Sequence, residues 1–441
     1  MTQKDIKDIK IGTTDVNRLL YRFWEVWPIL TTEHQKEWPF IVFTNFSTTD
    51  WADISFSIKE SSRYGSGNLP NIEFSTDGIN WNPVEHGVNY SYAINPYGKD
   101  LTDKIEDIYG PYAIVCNYLY FRGTNNISVD GLHIEVDQYE YKKWNGGIAT
   151  YIRGYAEIHC FGNIMSLLDH SIIPTEIISD YCFAGLFSNL MTGLVEDQAL
   201  KTANILYANN VTKGCYYRLF YQNTGLRVAP KLPATTLYES CYEGMFNNCD
   251  ALSIAPELPA TNIAASCYKG MFYGCGKITS APELPATTLY ESCYEDMFAG
   301  CPITTAPELP ATNIAASCYK GMFYACTSLV TAPELPATTL YPNCYECMFE
   351  GCKSLVKAPE LPATTLSERC YGGMFYSCSS LNYVKMLGVN APDSIRWYLS
   401  YDKLYYWLDK VSSTGTFIKS KDATWDMSQV KIPSGWTIKS V

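Results

Sequence analysis

One phrase, Ala-Pro-Glu-Leu-Pro-Ala-Thr, recurs through the second half of this chain and constrains its fold more than any other feature. Its opening alanine falls at Ala229, Ala255, Ala281, Ala306, Ala332 and Ala358, with Lys231 in place of glutamate in the first copy. The period is therefore 26 residues, with one step of 25. A fuller pattern, A-P-E-L-P-A-T-T-L-x-x-x-C-Y-x-x-M-F-x-x-C-x-x-L, runs through each unit, as in Ala281 to Cys301 or Ala332 to Leu355. Two degenerate units, around Tyr181 to Phe187 and Cys215 to Phe220, precede the six plain ones and bring the number to about eight. No segment of this length buries an apolar face alone, whereas neighbours stacked in register bury it together. Strand-like neighbours stand about 4.8 Å apart, so the stack is expected to form a rod on the order of 40 Å long. Proline blocks helix interiors and pushes its predecessor to extended geometry, so Pro-Glu-Leu-Pro reads as extended and turn-bounded. Cys-Tyr-x-x-Met-Phe suits one short helical turn.

The repeat also explains fourteen of the 17 cysteines. One column holds Cys215, Cys241, Cys267, Cys293, Cys318, Cys344 and Cys370, extended by Cys182, and a second holds Cys249, Cys275, Cys301, Cys326, Cys352 and Cys378. Paired members are always eight residues apart. An odd total cannot pair completely within one chain. Free cysteine behaves as a small buried hydrophobe with a weak donor, which suits an interior ladder. Cys344 and Cys347 form a lone C-x-x-C, but Cys347 fills the slot held elsewhere by Gly244, Gly270, Asp296, Gly321 and Gly373. A structural zinc site wants four ligands, so no metal is assigned.

The repeats alternate in type. Units at Ala255 and Ala306 share TNIAASCYKGMFY, and those at Ala229 and Ala281 share TTLYESCYE. One slot therefore reads Glu243, Lys269, Glu295, Lys320, Glu346, so stacking predicts a row of opposite-signed neighbours that favours correct register. A second row, Glu257, Glu283, Glu308, Glu334 and Glu360, is all acidic and reads as a solvated face. Three-residue stretches just before the first cysteine column vary from unit to unit. They place Tyr238, Glu239, Tyr290, Glu291 and Tyr341 as candidate ligand-binding residues at two-repeat intervals.

Strand signals before the repeats include Phe40 to Phe43, Ile54 to Ile58, Asn71 to Phe74, Tyr118 to Phe121 and Leu132 to Val136, which together predict a β-sandwich. Ser75 to Trp81 is similar to the Asp-box turn of sialidases but is one residue short and occurs once, which favours a plain Asp-Gly hairpin. After the repeats, Trp397, Tyr398, Tyr401, Tyr405, Tyr406 and Trp407 provide apolar cover for the end of a stack. The net charge of −12 argues against nucleic acid as a partner. No run of 18 uncharged apolar residues predicts a membrane span, and the opening MTQKDIKDIKIG lacks a signal-peptide core. There is no H-E-x-x-H, phosphate loop or nucleophile elbow, so catalytic residues and cofactors are both expected to be none. His159 beside Cys160 is the nearest approach to a thiol nucleophile, but strand alternation points the two to opposite faces.

The period and regular leucines lie in the range of leucine-rich repeats. The M-F-x-x-C-x-x-L units resemble BspA-type leucine-rich repeats, familiar in Bacteroidales surface proteins and phages, over residues 160 to 387. Tyr120-Phe121-Arg122-Gly123 and Gly162 to Leu168 resemble the segments that precede such repeats. Trp407-Leu408 with Thr414 to Phe417 and Ile432 to Thr437 resembles their usual ending. Ile9 to Leu19, then Glu25 to Pro28, is similar to N-terminal segments of tailed-phage virion proteins, but Leu20 to Trp24 departs where a glycine turn is usual.

These resemblances imply a mainly β chain with short helices: an N-terminal virion-attachment segment (1–30), a β-sandwich-like domain (31–160), a leucine-rich-repeat solenoid of about eight units (161–387) and a C-terminal cap (388–441). They imply a non-enzymatic head or tail fibre or decoration of a phage of gut Bacteroidales, the crAss-like group among them. Such a protein is made in the host cytoplasm without a signal peptide and built into the virion. Its implied partners are other virion proteins, through Ile9, Ile11, Val16, Leu19, Val26 and Trp27, and a host cell-surface glycan or protein. Fibres are often symmetric homo-oligomers, although no heptad seam is present. A bacterial BspA-like surface adhesin and a purely structural virion component are the alternatives.

Overall fold

The chain divides into two units, Met1–Glu176 with Ala199–Ala208 and Ile177–Gln198 with Asn209–Val441, and consecutive buried positions run through strands of the first. The computed structural model describes residues 40–45, 52–58, 70–94, 158–188, 205–390, 403–425 and 430–441. It also describes 10–11, 14–15, 115–116, 118–124, 126, 129, 132–138, 140–145, 148–153 and 200–203. The structure is mainly β with almost no helix, and among the described residues the one named helical element is the 3-10 segment Ile164–Leu167.

The first unit contains a six-stranded sheet in the order Leu200–Ala203, Ile158–Gly162, Ile41–Asn45, Tyr118–Gly123, Ile72–Ser75, Asn82–Pro83. A four-stranded sheet runs Leu132–Gln138, Ala52–Ile58, Asn89–Ile94, Val115–Cys116. Phe56 of the smaller sheet meets Phe121 of the larger edge-to-face at 4.8 Å and Phe74 at 5.1 Å. Edge-to-face contact sets the positive rim of one ring on the negative face of another, adding about 0.5–1.5 kcal/mol to the area buried. Residues 76–81 close the hairpin between Ile72–Ser75 and Asn82–Pro83 as a six-residue loop, longer than the plain Asp-Gly turn expected, with Gly78 left-handed at φ +72 and Asp77 not. The Asp77 carboxylate accepts the N–H groups of Ile79 and Asn80 at 2.8 Å and the Asn80 side-chain amide at 2.7 Å. Partial burial raises its pKa, and the hydrogen bonds from Asn80 and Ile79 more than offset this, holding it at about 2.

In the second unit the Cys-Tyr-x-x-Met-Phe segments differ from the short helical turn expected of them. Between Ser240 and Cys249, backbone N–H groups alternate in direction. Those of Cys241, Glu243, Met245, Asn247 and Cys249 reach back three residues at 3.1–3.2 Å. Those of Ser240, Tyr242, Gly244, Phe246 and Asn248 donate to the next repeat at 2.7–3.0 Å. An α-helix would spend its donors on itself and leave none to join repeats; here every second donor is shared with a neighbour. The chain makes this turn by placing a left-handed residue at every fourth position, Ser240, Gly244 and Asn248, and again at Ser266, Gly270 and Gly274 or Ser317, Gly321 and Ala325. Elsewhere the repeats touch through single parallel bridges such as Thr236 to Asn262 and Thr305 to Thr331.

Stacking in register lines identical side chains up inside. Phe220, Phe246, Phe272, Phe298, Phe323, Phe349 and Phe375 form one column of near-parallel rings, with centroids 5.5–5.9 Å apart. A parallel tyrosine column runs from Tyr216 to Tyr371 at 5.6–5.9 Å. All seventeen cysteines are free thiols, and all but Cys347 are buried. Thiols of the second cysteine column tie each repeat to the one before it. Cys275 Sγ donates to the Phe246 carbonyl of the preceding repeat at 3.1 Å, and Cys301 and Cys378 do the same to Phe272 and Phe349. The Phe246 carbonyl already accepts the Cys249 N–H, so the thiol occupies its second lone pair.

The pattern outlasts the cysteines. Tyr371, Gly373, Phe375 and Ser377 donate to Lys403, Tyr405, Trp407 and Asp409, and left-handed residues recur at Tyr406 and Lys410. Beyond this run, Lys357–Leu361, Tyr383–Met386, Gly415–Lys419 and Trp436–Ser440 form a four-stranded parallel sheet in that order. Trp407 is fully buried, and its indole N–H donates to the Val430 carbonyl at 2.8 Å.

Candidate functional site

The backbone that carries the variable three-residue stretches is fixed on both sides. The Tyr290 carbonyl accepts the Cys293 N–H within its own repeat, and the Glu291 carbonyl accepts the Ser266 N–H of the preceding one. Glu239 and Pro342 accept from Gly214 and Ser317 in the same way. With the main chain held inward, the side chains turn to water: Tyr238 is 54% exposed, Tyr290 50% and Tyr341 46%. Glu239 and Glu291 are exposed beside them, and Glu239 pairs with Lys213 at 2.9 Å. The expected tyrosines therefore stand at one equivalent slot in alternate repeats, with Ala264 and Ala315 in the units between.

The charge row is formed from Lys269 onward. Lys269 meets Glu295 at 2.9 Å, Lys320 bridges Glu295 at 3.9 Å and Glu346 at 3.4 Å, and Arg369 closes the row on Glu346. Glu346 is 3% exposed, so this is a half-buried seam rather than loose surface pairs. Burial works against the Lys269 ammonium, but the Glu295 hydrogen bond and charge win and its pKa is raised. The all-acidic row is exposed, and of its members Glu360 has an ion pair, with Lys385 at 3.0 Å. Among the described residues no group of three or more His, Cys, Asp or Glu side chains could hold a metal ion.

A second outward row escaped sequence reasoning. Six residues after each first-column cysteine stand Tyr221, Asn247, Tyr273, Ala299, Tyr324, Glu350 and Tyr376, so tyrosine again recurs in alternate repeats, out of step with the first row. Tyr273 is 41% and Tyr324 40% exposed. The signal was present in GMFY against MFNN, MFAG and MFEG, but it lay inside the segment read as a helical turn. Three positions earlier the slot is Gly244, Gly270, Gly321 or Gly373 in four repeats and Arg218, Asp296 or Cys347 in the others. The Asp296 carboxylate lies over Gly321: a Cβ there would stand 2.0 Å from its Oδ1. Burial, then the neighbouring Glu295, raises the Asp296 pKa, and the Tyr324 hydroxyl is raised first by Glu350.

The thiols are not poised for chemistry. Burial pushes Cys301 and Cys370 up to about 12, and Cys160 well above its ordinary value. His159 Nδ1 lies 2.9 Å from Thr202 Oγ1, and its ring is parallel to Phe161, two residues on and therefore on the same face. Cys160 is fully buried between them in sequence, on the other face. Of the residues expected to attach the chain to a virion, Ile9, Val16, Leu19, Val26 and Trp27 lie outside the described residues, and Ile11 ends the two-residue strand Lys10–Ile11 paired with Thr14–Asp15. No described helix is long and apolar enough to cross a membrane. No protein-family model, curated protein or solved structure matches this chain.

Proposed function

We propose that this chain is a non-enzymatic structural protein of a tailed-phage virion, a head or tail fibre or decoration, that displays a BspA-type leucine-rich-repeat solenoid to bind the host cell surface. On this reading the segment 1–30 attaches the chain to other virion proteins. Residues 31–160 form a β-sandwich, and 388–441 cap a solenoid of about eight units. The hydrogen bonds and single parallel bridges that join each repeat to the next support the solenoid. The binding role rests on one observation: Tyr238, Tyr290 and Tyr341 stand about half exposed on a backbone fixed from both sides. Large amphipathic rings that lose little entropy on contact are what interfaces concentrate.

The test is binding of fluorescently labelled, purified full-length protein to intact gut Bacteroidales cells. A version lacking residues 1 to 30 and a Tyr238→Ala/Tyr290→Ala/Tyr341→Ala variant are measured beside it. The reading expects the full-length and shortened proteins to bind and the triple variant to bind weakly while melting as the parent does. Binding by neither parent form would favour a purely structural role, and full binding by the triple variant would remove this row from the contact.

A further inference from the structure

The second tyrosine row carries more specific information than the first, because carboxylate and amide side chains accompany it. Tyr273 and Tyr324 stand two repeats apart with the buried Ala299 in the slot between them, so no third side chain projects between the two outward rings. Gly270 and Gly321 are buried because the Asn247 amide and the Asp296 carboxylate lie over them, which sets those polar groups beside the rings. Glu350 stands close enough to Tyr324 for its charge to be the main influence on that hydroxyl. Ring faces next to carboxylate and amide acceptors suit a ligand whose faces are C–H and whose edges are hydroxyl groups.

Spacing narrows the ligand further. Adjacent repeats step 5.5–5.9 Å at their stacked rings, so equivalent tyrosines two repeats apart stand about 11 Å from one another. That is comparable to two 1,4-linked pyranose units in an extended chain. A polymer lying along the stack would meet a tyrosine at every second sugar. The charge argues against acidic chains: residues 229–390 hold 14 Asp and Glu against 8 Lys and Arg, a net of 8 − 14 = −6. Asp296 and Glu350 lie within the row itself.

We infer that the face formed by Tyr273, Asp296, Tyr324 and Glu350 binds a neutral linear polysaccharide whose axis runs along the repeats. This rests on the reading of the chain as a surface binder, and it names a different face and a ligand class for it. Tyr221 and Tyr376, the outer members of the row, carry Arg218 and Lys410 at 4.9 and 4.7 Å from their rings and mark its ends.

The experiment is affinity electrophoresis and calorimetry of the full-length protein with mixed-linkage β-glucan, β-mannan and β-xylan as neutral probes and alginate as the acidic one. A Tyr273→Ser/Tyr324→Ser variant is run in parallel, and circular dichroism checks that it folds, which exposed positions allow. The inference expects retardation by at least one neutral polymer and none by alginate. It expects affinity for its oligosaccharides to rise as the length grows in pairs of sugars, and a loss of about tenfold for each ring removed. Retardation unchanged in the double variant would overturn it, as would a preference for alginate. Cell binding that persists with no retardation by any polymer would overturn this inference and leave the surface-binding role standing. Concentration-dependent dimers of the parent that vanish in the double variant would assign the face to a second copy instead.

Discussion

Replacing Gly321 by alanine, with Gly276→Ala as its partner, isolates the feature on which the turn runs depend. Gly321 has φ +58, a conformation in which an L side chain crowds the following carbonyl at a cost of about 1–2 kcal/mol. The new Cβ would also stand 2.0 Å from Asp296 Oδ1 and force that carboxylate aside. Gly276 has no atom within 4 Å of an added Cβ and is not among the left-handed residues. Both substitutions restrict the unfolded chain equally, a gain of about 0.4–1 kcal/mol that cancels between them. The difference left is about 1–2 kcal/mol or slightly more, against Gly321→Ala. At about 2–4 °C per kcal/mol for a unit of this size, melting temperatures should separate by roughly 2–8 °C. Thermal melts by circular dichroism and urea midpoints at matched slope would measure it. Two variants that melt together, or Gly276→Ala melting lower, would refute the left-handed column as a determinant of the turn run.

Three further outcomes follow from particular contacts. The Tyr294 hydroxyl is buried without a partner, and leaving such a group unpaired costs about 1–3 kcal/mol, so Tyr294→Phe should melt at or above the parent temperature; a clear loss would mean the hydroxyl is bonded. Lys320→Glu would set three carboxylates in sequence along a seam where Glu346 is nearly buried. It should cost about 2 kcal/mol, between exposed and buried pairs, read as a lower urea midpoint. Asp77 has a folded pKa of about 2 against an ordinary 3.8, so its contribution is complete above the ordinary value and lost as pH falls through about 2. The stability gap between the parent and Asp77→Ala should therefore be constant near neutrality and close in acid; a gap that widens in acid would contradict the bonding around that carboxylate.

Much of this was legible in the sequence because repetition makes each position its own control. Six plain copies expose the columns Cys241 to Cys370 and Cys249 to Cys378 and the alternation Glu243, Lys269, Glu295, Lys320, Glu346, and in-register stacking turns those columns into contacts. Periodicity does not say how a short segment curls. Cys-Tyr-x-x-Met-Phe has apolar residues at helical spacing, and the competing fact, a left-handed residue every fourth position, was written in Ser240, Gly244 and Asn248 and their equivalents. Missing it hid the second tyrosine row. The run 403–410 was obscured for another reason: it keeps the backbone pattern and left-handed positions of a repeat while Lys403, Leu404 and Trp407 replace its usual cysteine, tyrosine and methionine. In the first unit, where nothing repeats, strand signals located segments such as Ile41–Asn45, but the order of strands across a sheet is set by long-range pairing that local pattern does not encode.

The most direct measurement is a count of reactive thiols in the native protein by alkylation and mass spectrometry, with the same count in denaturant as reference. In-register stacking buries fourteen of the seventeen cysteines, the sheets of the first unit bury Cys116 and Cys160, and Cys347 is left half-buried, its thiol pKa raised by burial and then by Glu350. The predicted result is slow labelling of Cys347 alone near neutral pH and seventeen labelled positions once the chain is unfolded. Rapid native labelling of either cysteine column, at Cys241 to Cys370 or at Cys249 to Cys378, would contradict the stacked ladder and the outward faces built upon it.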